Sequence, residues 1–337
     1  MLRRFARCFA RLSSRVLFTC LATALTQTAA AQDAAGIAAR TELHPIPSVT
    51  ISDGQFLKGD AYGRPVTVAG VLRFPPRPVS PRPPVVVLVH GSSGIGANID
   101  FWSNRFLASG YATFAIDGFT GRGLTATGPD QGLLGRLNLI VDAYRALELL
   151  ASHPRIDRDR VVLMGFSRGG QATLFAANKR FDALWNRSGA RYAAFIPFYA
   201  DCGTTYLRDA ETTGAPIRLH HGRTDDYNPI ASCRAYVQRL KDARQDVALF
   251  EYENGPHGFD SPIAPAAPVV SPRSQTVRNC RIVERSEGVL INEATGHPFQ
   301  YTDACVERDP HVGGDREATA KAAAEIDRFL QQVFKPR

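Results

Sequence analysis

The stretch Val161-Val162-Leu163-Met164-Gly165-Phe166-Ser167-Arg168-Gly169-Gly170 constrains this chain more than any other. The apolar run reads as a buried strand, Gly-x-Ser-x-Gly as a tight turn, and the small-residue run to Asn178 as a helix. A strand that turns straight into a helix at a serine leaves no room for a side chain two positions to either side, so both are glycine. The turn holds the serine in a strained backbone conformation and lifts its hydroxyl above the sheet. The first amides of the helix have no partner within it and carry partial positive charge. They suit an anion forming beside Ser167.

The rest of the chain repeats the alternation. Strands are expected at Arg64–Phe74, Pro84–Val89, Tyr111–Asp117, Tyr192–Ala200, Ala215–His221 and Val247–Glu253, with an earlier extended piece near Ser48–Ser52. Helices are expected at Asp100–Ser109, Gln131–Ser152, 229–243 and Ala318–Phe334. Leu134, Leu137, Ile140, Val141, Tyr144, Leu147 and Leu150 recur at helical spacing, which marks a core face and not a cofactor site. Strands alternating with helices imply an α/β class: a doubly wound, mostly parallel sheet flanked by helices. Residues 75–84 hold six prolines, a stiff connector. Residues 261–313 lack periodicity and are rich in Pro, Ser and Gly, so they read as an insert before the last helix of a single domain, 32–337.

A serine hydroxyl is a poor nucleophile at neutral pH and needs a base, which in turn needs an orienting acid. Both follow in order. The strand Ala215–His221 runs into Gly222-Arg223-Thr224-Asp225-Asp226, and an acid past the carboxyl end of a strand sits on the functional edge of such a sheet. Asp225 is the expected acid and Asp226 the alternative; a helix cap near Pro229 is the other use for Asp225. His257 lies in the loop Asn254-Gly255-Pro256-His257-Gly258 and is the expected base. A buried strand also leads into His90-Gly91-Ser92-Ser93-Gly94. The backbone N–H of Ser92 and that of Arg168, the residue after the nucleophile, are the expected oxyanion donors. The glycines at 91, 94 and 96 do not make a phosphate loop, because no Lys-Ser/Thr follows. His220 and His221 are adjacent on a strand and point to opposite faces, which argues against a shared metal. No metal and no cofactor are expected.

HGSSG at 90–94, IDGFTGRG at 116–123, GFSRGG at 165–170, HGRTDDYNP at 221–229 and PHGFD at 256–260 together resemble the dienelactone hydrolase family of the α/β-hydrolases. The resemblance runs from about residue 65 to the last helix. It implies an α/β-hydrolase fold and cleavage of a small-molecule ester or lactone through an acyl-enzyme on a Ser167, Asp225, His257 triad. The family's best-known enzymes carry cysteine as nucleophile; Ser167 points instead to a general carboxylesterase. Relatives that act on lactone acids hold the carboxylate with arginines. Arg122, in the loop after Tyr111–Asp117, is therefore a candidate for substrate binding, against the alternative that it pins its own loop. Phe119, Tyr199, Tyr227 and Phe259 are candidates for an apolar acyl pocket. A peptidase or acyltransferase on the same triad, and a noncatalytic binding module, are the competing functional readings.

The N-terminus reads as an export signal. Arg3, Arg4, Arg7, Arg11 and Arg15 precede a short apolar stretch, Val16 to Leu25, and Ala29-Ala30-Ala31 precedes Gln32 as a cleavage site. The apolar stretch is too short to span a bilayer, so no stable membrane anchor is expected after cleavage. The full chain carries +8; removing five arginines and no acids leaves 35 basic against 32 acidic residues, or +3. That balance, without basic patches interleaved with aromatics, argues against a nucleic-acid partner. Cys202, Cys233, Cys280 and Cys305 remain, an even count that suits the periplasm or the exterior. Three pairings exist. Placement on one sheet edge favours Cys202–Cys233, which leaves Cys280–Cys305 within the insert. Relatives often carry a cysteine at the first two places.

Overall fold

The computed structural model describes residues 41–335. The expected signal segment and its cleavage site lie outside them. Nine strands and seven helices frame the fold. The strands are β1 (Thr41–Thr50), β2 (Arg64–Arg73), β3 (Val85–Val89), β4 (Ala112–Asp117), β5 (Val161–Phe166), β6 (Ala194–Phe198), β7 (Thr204–Thr205), β8 (Ile217–Gly222) and β9 (Val247–Tyr252). The helices are α1 (Asp53–Lys58), α2 (Ala97–Ala108), α3 (Asn138–Ser152), α4 (Arg168–Ala176), α5 (Lys179–Trp185), α6 (Ile230–Asp242) and α7 (Arg316–Val333). Eight strands form one sheet in the order β1-β2-β4-β3-β5-β6-β8-β9. From β4 to β9 every neighbouring pair is parallel. Only β1 and β2 run against their neighbours.

The alternation along β3 shows why helices cover both faces. Val85, Val87 and Val89 enter one core with Leu139, Ile140 and Leu147 of α3 and Leu174 of α4. Val86 and Leu88 enter the other with Trp102 and Phe106 of α2 and Ile326 and Leu330 of α7. A strand apolar on both faces is stable only between two layers. The sheet is therefore doubly wound, and its parallel strands deliver their carboxyl ends to one edge.

Several elements differ from the sequence reading. β1 spans ten residues, pairing Pro45 with Ala69 and Pro47 with Thr67; at the outer edge of a sheet a proline removes no obligatory ladder bond. The helix α1 was not expected; Ser52 and Gln55 form its capping box. The long helix expected from Gln131 begins at Asn138, with only a single 3-10 turn at Gln131–Leu133. The Leu134 carbonyl accepts from the Arg168 guanidinium and not from a helical amide.

The insert is built from short ladders. Val269–Val270 pairs with His311–Val312, Gln275–Thr276 with Glu307–Arg308, and Ile282–Ser286 with Val289–Asn292. Its Ile282 lies beside Thr204 of β7, and its buried Glu284 pairs with Arg180 at the start of α5. Disulfides join Cys202 to Cys233 and Cys280 to Cys305. Among the described residues no helix is long and apolar enough to cross a membrane.

Candidate active site

Ser167 stands between β5 and α4 at φ 55°, ψ −115°. This backbone region is costly for a residue with a Cβ and persists only where the surroundings impose it. Its amide donates to the Phe198 carbonyl of β6, and its carbonyl accepts from the Gln171 amide. A Cβ at Gly165 would lie 2.1 Å from the Gly169 carbonyl oxygen, and one at Gly169 would lie 2.2 Å from that of Val89. Both glycines are thus required by close approach.

His257, in the loop after β9, places Nε2 2.9 Å from Ser167 Oγ and Nδ1 2.8 Å from Asp225 Oδ2. With Nδ1–H donating a hydrogen bond to Asp225 Oδ2, Nε2 is free to accept from the hydroxyl. Asp225 follows β8. Its Oδ1 accepts from the amides of Tyr227 and Asn228, at 2.9 and 2.8 Å. The carboxylate thus fixes its own turn as well as the imidazole. His221 Nε2 lies 3.4 Å from Asp225 Oδ2 and donates to the Asn228 carbonyl at 2.7 Å. Burial alone would raise the Asp225 carboxyl. The charge of His257 and the hydrogen bonds from His221 and His257 outweigh it and hold Asp225 well below the usual carboxylate range. Asp226 points away. It accepts from the His311 amide and pairs with the His311 ring and Arg278, all in the insert.

Around this core Tyr227 stacks on the His257 ring at 4.5 Å, and Tyr199 meets it edge-on at 4.8 Å. Tyr199 is buried, at φ 35°, and its hydroxyl donates to Asp260, which also accepts from Trp102 Nε1. Ser92 and Arg168 border the cavity beside Ser167. The Arg168 amide opens α4 and so has no helical partner. His90 Nδ1 donates to the Gly91 carbonyl, and its Nε2 accepts from the Gly118 amide, which ties this loop to the one after β4.

The candidates for substrate binding separate. Tyr227 lines the cavity. Arg122 does not: its guanidinium is buried in a two-pronged pair with Asp142, at 2.6 and 2.9 Å, and also donates to the carbonyls of Gly118 and Val49. The loop after β4 turns inward toward α3, so this side chain points into the fold. Phe119 is buried against His90, and Phe259 lies in the core with Phe198 and Tyr252. Tyr199 is behind His257 and outside the cavity. The cavity walls are instead Gln131, Arg136, Gln171 and Asp201, with Gln275, Thr276, Val277 and Tyr301 from the insert. Gln171 lies one helical turn past Ser167, a spacing that the sequence displays. The insert residues carry no comparable signal. The two histidines separate as well: His220 Nδ1 lies 2.7 Å from the Tyr252 hydroxyl, away from His221.

The dienelactone hydrolase family profile matches residues 68–277. The chain belongs to the dienelactone hydrolase family. That membership makes it a hydrolase of the ester type. Among curated proteins none matches the chain. Solved structures share the fold at low identity. A dienelactone hydrolase-like promiscuous phosphotriesterase from metagenomic libraries is 18% identical, with a TM-score of 0.57, over 87% of this chain and 99% of its own. Esterase 2 of Thermogutta terrifontis, phosphorylated by paraoxon, is 15% identical, with a TM-score of 0.53, over 88% and 96%.

Proposed function

We propose that this dienelactone hydrolase family member is an exported serine esterase that cleaves carboxylic esters or lactones through an acyl-enzyme. The observation that carries the reading is the relay of 2.9 and 2.8 Å from Ser167 Oγ through His257 to Asp225. In it Ser167 Oγ attacks the carbonyl carbon while His257 Nε2 takes its proton. The carbonyl oxygen becomes an oxyanion facing the N–H groups of Arg168 and Ser92. Collapse breaks the bond to the alkoxy oxygen, which leaves with the proton from His257. Water then gives a proton to His257 and attacks the acyl carbon; the acid departs and Ser167 regains its hydrogen. Asp225 stays ionised and steadies the imidazolium. The chemistry as written uses no cofactor. The mature chain begins at Gln32 as one domain, exported to the periplasm or beyond. The four paired cysteines accord with an oxidising compartment.

The test is labelling with a fluorophosphonate together with turnover of an ester panel. Label on Ser167 alone, and loss of about 10³-fold or more in kcat for Ser167→Ala and His257→Ala, are expected. Undiminished turnover by pure, folded Ser167→Ala removes Ser167 from the role.

A further inference from the structure

The cavity beside Ser167 has a volume of about 40 Å³. It is narrow and half open, so a group longer than the space beside Ser167 must pass the wall beyond it. Its lining omits His257. The leaving oxygen must face His257 Nε2 to be protonated, so the cavity receives the opposite end of the ester, the acyl group.

Its outer wall is the insert, and that wall is held from several sides. The Gln275 amide donates to the Gly128 carbonyl, and the Gln131 amide donates to Gln275 Oε1, each at 2.8 Å. Thr276 Oγ1 donates to the Tyr227 carbonyl at 2.6 Å. The Tyr301 hydroxyl accepts from Arg136 Nη2 at 3.1 Å. The Cys280–Cys305 bridge joins the two lining segments just beyond Val277 and Tyr301. The inner wall is polar, formed by Gln131, Arg136, Gln171 and Asp201, and gives a long alkyl chain little of the apolar surface it would need to leave water.

We propose that the insert walls the acyl side of the site, so that the enzyme favours esters of short acyl groups, with Val277 and Tyr301 setting the limit. This rests on the acyl-enzyme reading above. The experiment measures kcat/KM of the mature protein on p-nitrophenyl acetate, butyrate and octanoate, with fluorophosphonate labelling of Ser167 in parallel. Octanoate is expected at least about tenfold below butyrate. Val277→Ala and Tyr301→Ala, checked for folding by melting temperature, are each expected to raise the octanoate-to-butyrate ratio about threefold or more. Ser167 labelled, butyrate turned over and octanoate handled equally well overturns the length limit alone. A ratio unmoved in both folded variants also overturns it. Failure to turn over any ester of the series overturns the hydrolase reading and this inference with it.

Discussion

Asp225 and Asp226 are adjacent and chemically alike, yet the turn after β8 gives them different work. Asp225 is buried and shared between His257 and the amides of its own turn. Asp226 is half exposed and faces His311 and Arg278. Replacing a carboxylate behind a catalytic imidazole by an amide leaves the wrong tautomer facing the serine. Asp225→Asn is therefore expected to lower kcat by about 10³–10⁴-fold with the fold retained. Asp226→Asn loses partly exposed ion pairs, worth about 1 kcal/mol or less, and should change kcat by less than about tenfold. Steady-state kinetics beside circular dichroism checks the pair; a crippled Asp226→Asn with a mild Asp225→Asn moves the acid by one residue.

At the scale of elements, the ion pair of Arg122 and Asp142 joins three of them. It links the loop after β4 to α3, and through Thr50 Oγ1 and the Val49 carbonyl to the end of β1. Ser48 Oγ adds a hydrogen bond to the same carboxylate. Removing one partner strands a buried charge. Arg122→Ala should destabilise the protein by about 3–5 kcal/mol in urea unfolding. Below its melting temperature it should lose equal activity on neutral and carboxylate-bearing esters, whereas a selective loss on the charged substrate would assign Arg122 to binding after all. The contrast with Ser167 explains what could be read from the chain. The turn at Ser167 is dictated within five residues by glycines whose Cβ atoms would collide, and local sterics leave a local signature. The direction of Arg122 depends on an acid 20 positions away, and the contact of Gln131 with Gln275 spans 144. No periodicity records such contacts. The strand–helix alternation was legible because burial on both faces imposes it. The start of α3 was not, because Leu134 keeps its apolar place in the core while its carbonyl turns to Arg168.

For the whole molecule, the sheet that delivers the site also builds in a sensitivity to acid. His220 on β8 is stacked between Phe198 and Phe250 at 4.8 and 4.9 Å. Burial lowers its imidazole from 6.5 to about 3. The unfolded chain binds this proton below about pH 6.5 and the native protein does not until about pH 3. In that window the unfolded state holds more protons, so stability falls as pH falls. His90, also lowered by burial, has the same sign. Asp260, raised by burial against its bonds from Tyr199 and Trp102, has the opposite sign: stability falls as pH rises toward its native value. Asp225, held low, keeps its contribution until pH falls into the ordinary carboxylate range, and loses it progressively below. The net slope therefore mixes several groups, and a difference between variants isolates one. His220→Gln keeps a polar group near the Tyr252 hydroxyl but cannot take up the proton. From pH 7 to pH 5 the wild type should lose about 2 kcal/mol more unfolding free energy than His220→Gln. Urea titrations of both proteins at the two pH values give that difference directly, and parallel losses would mean that His220 titrates alike in the folded and unfolded chain.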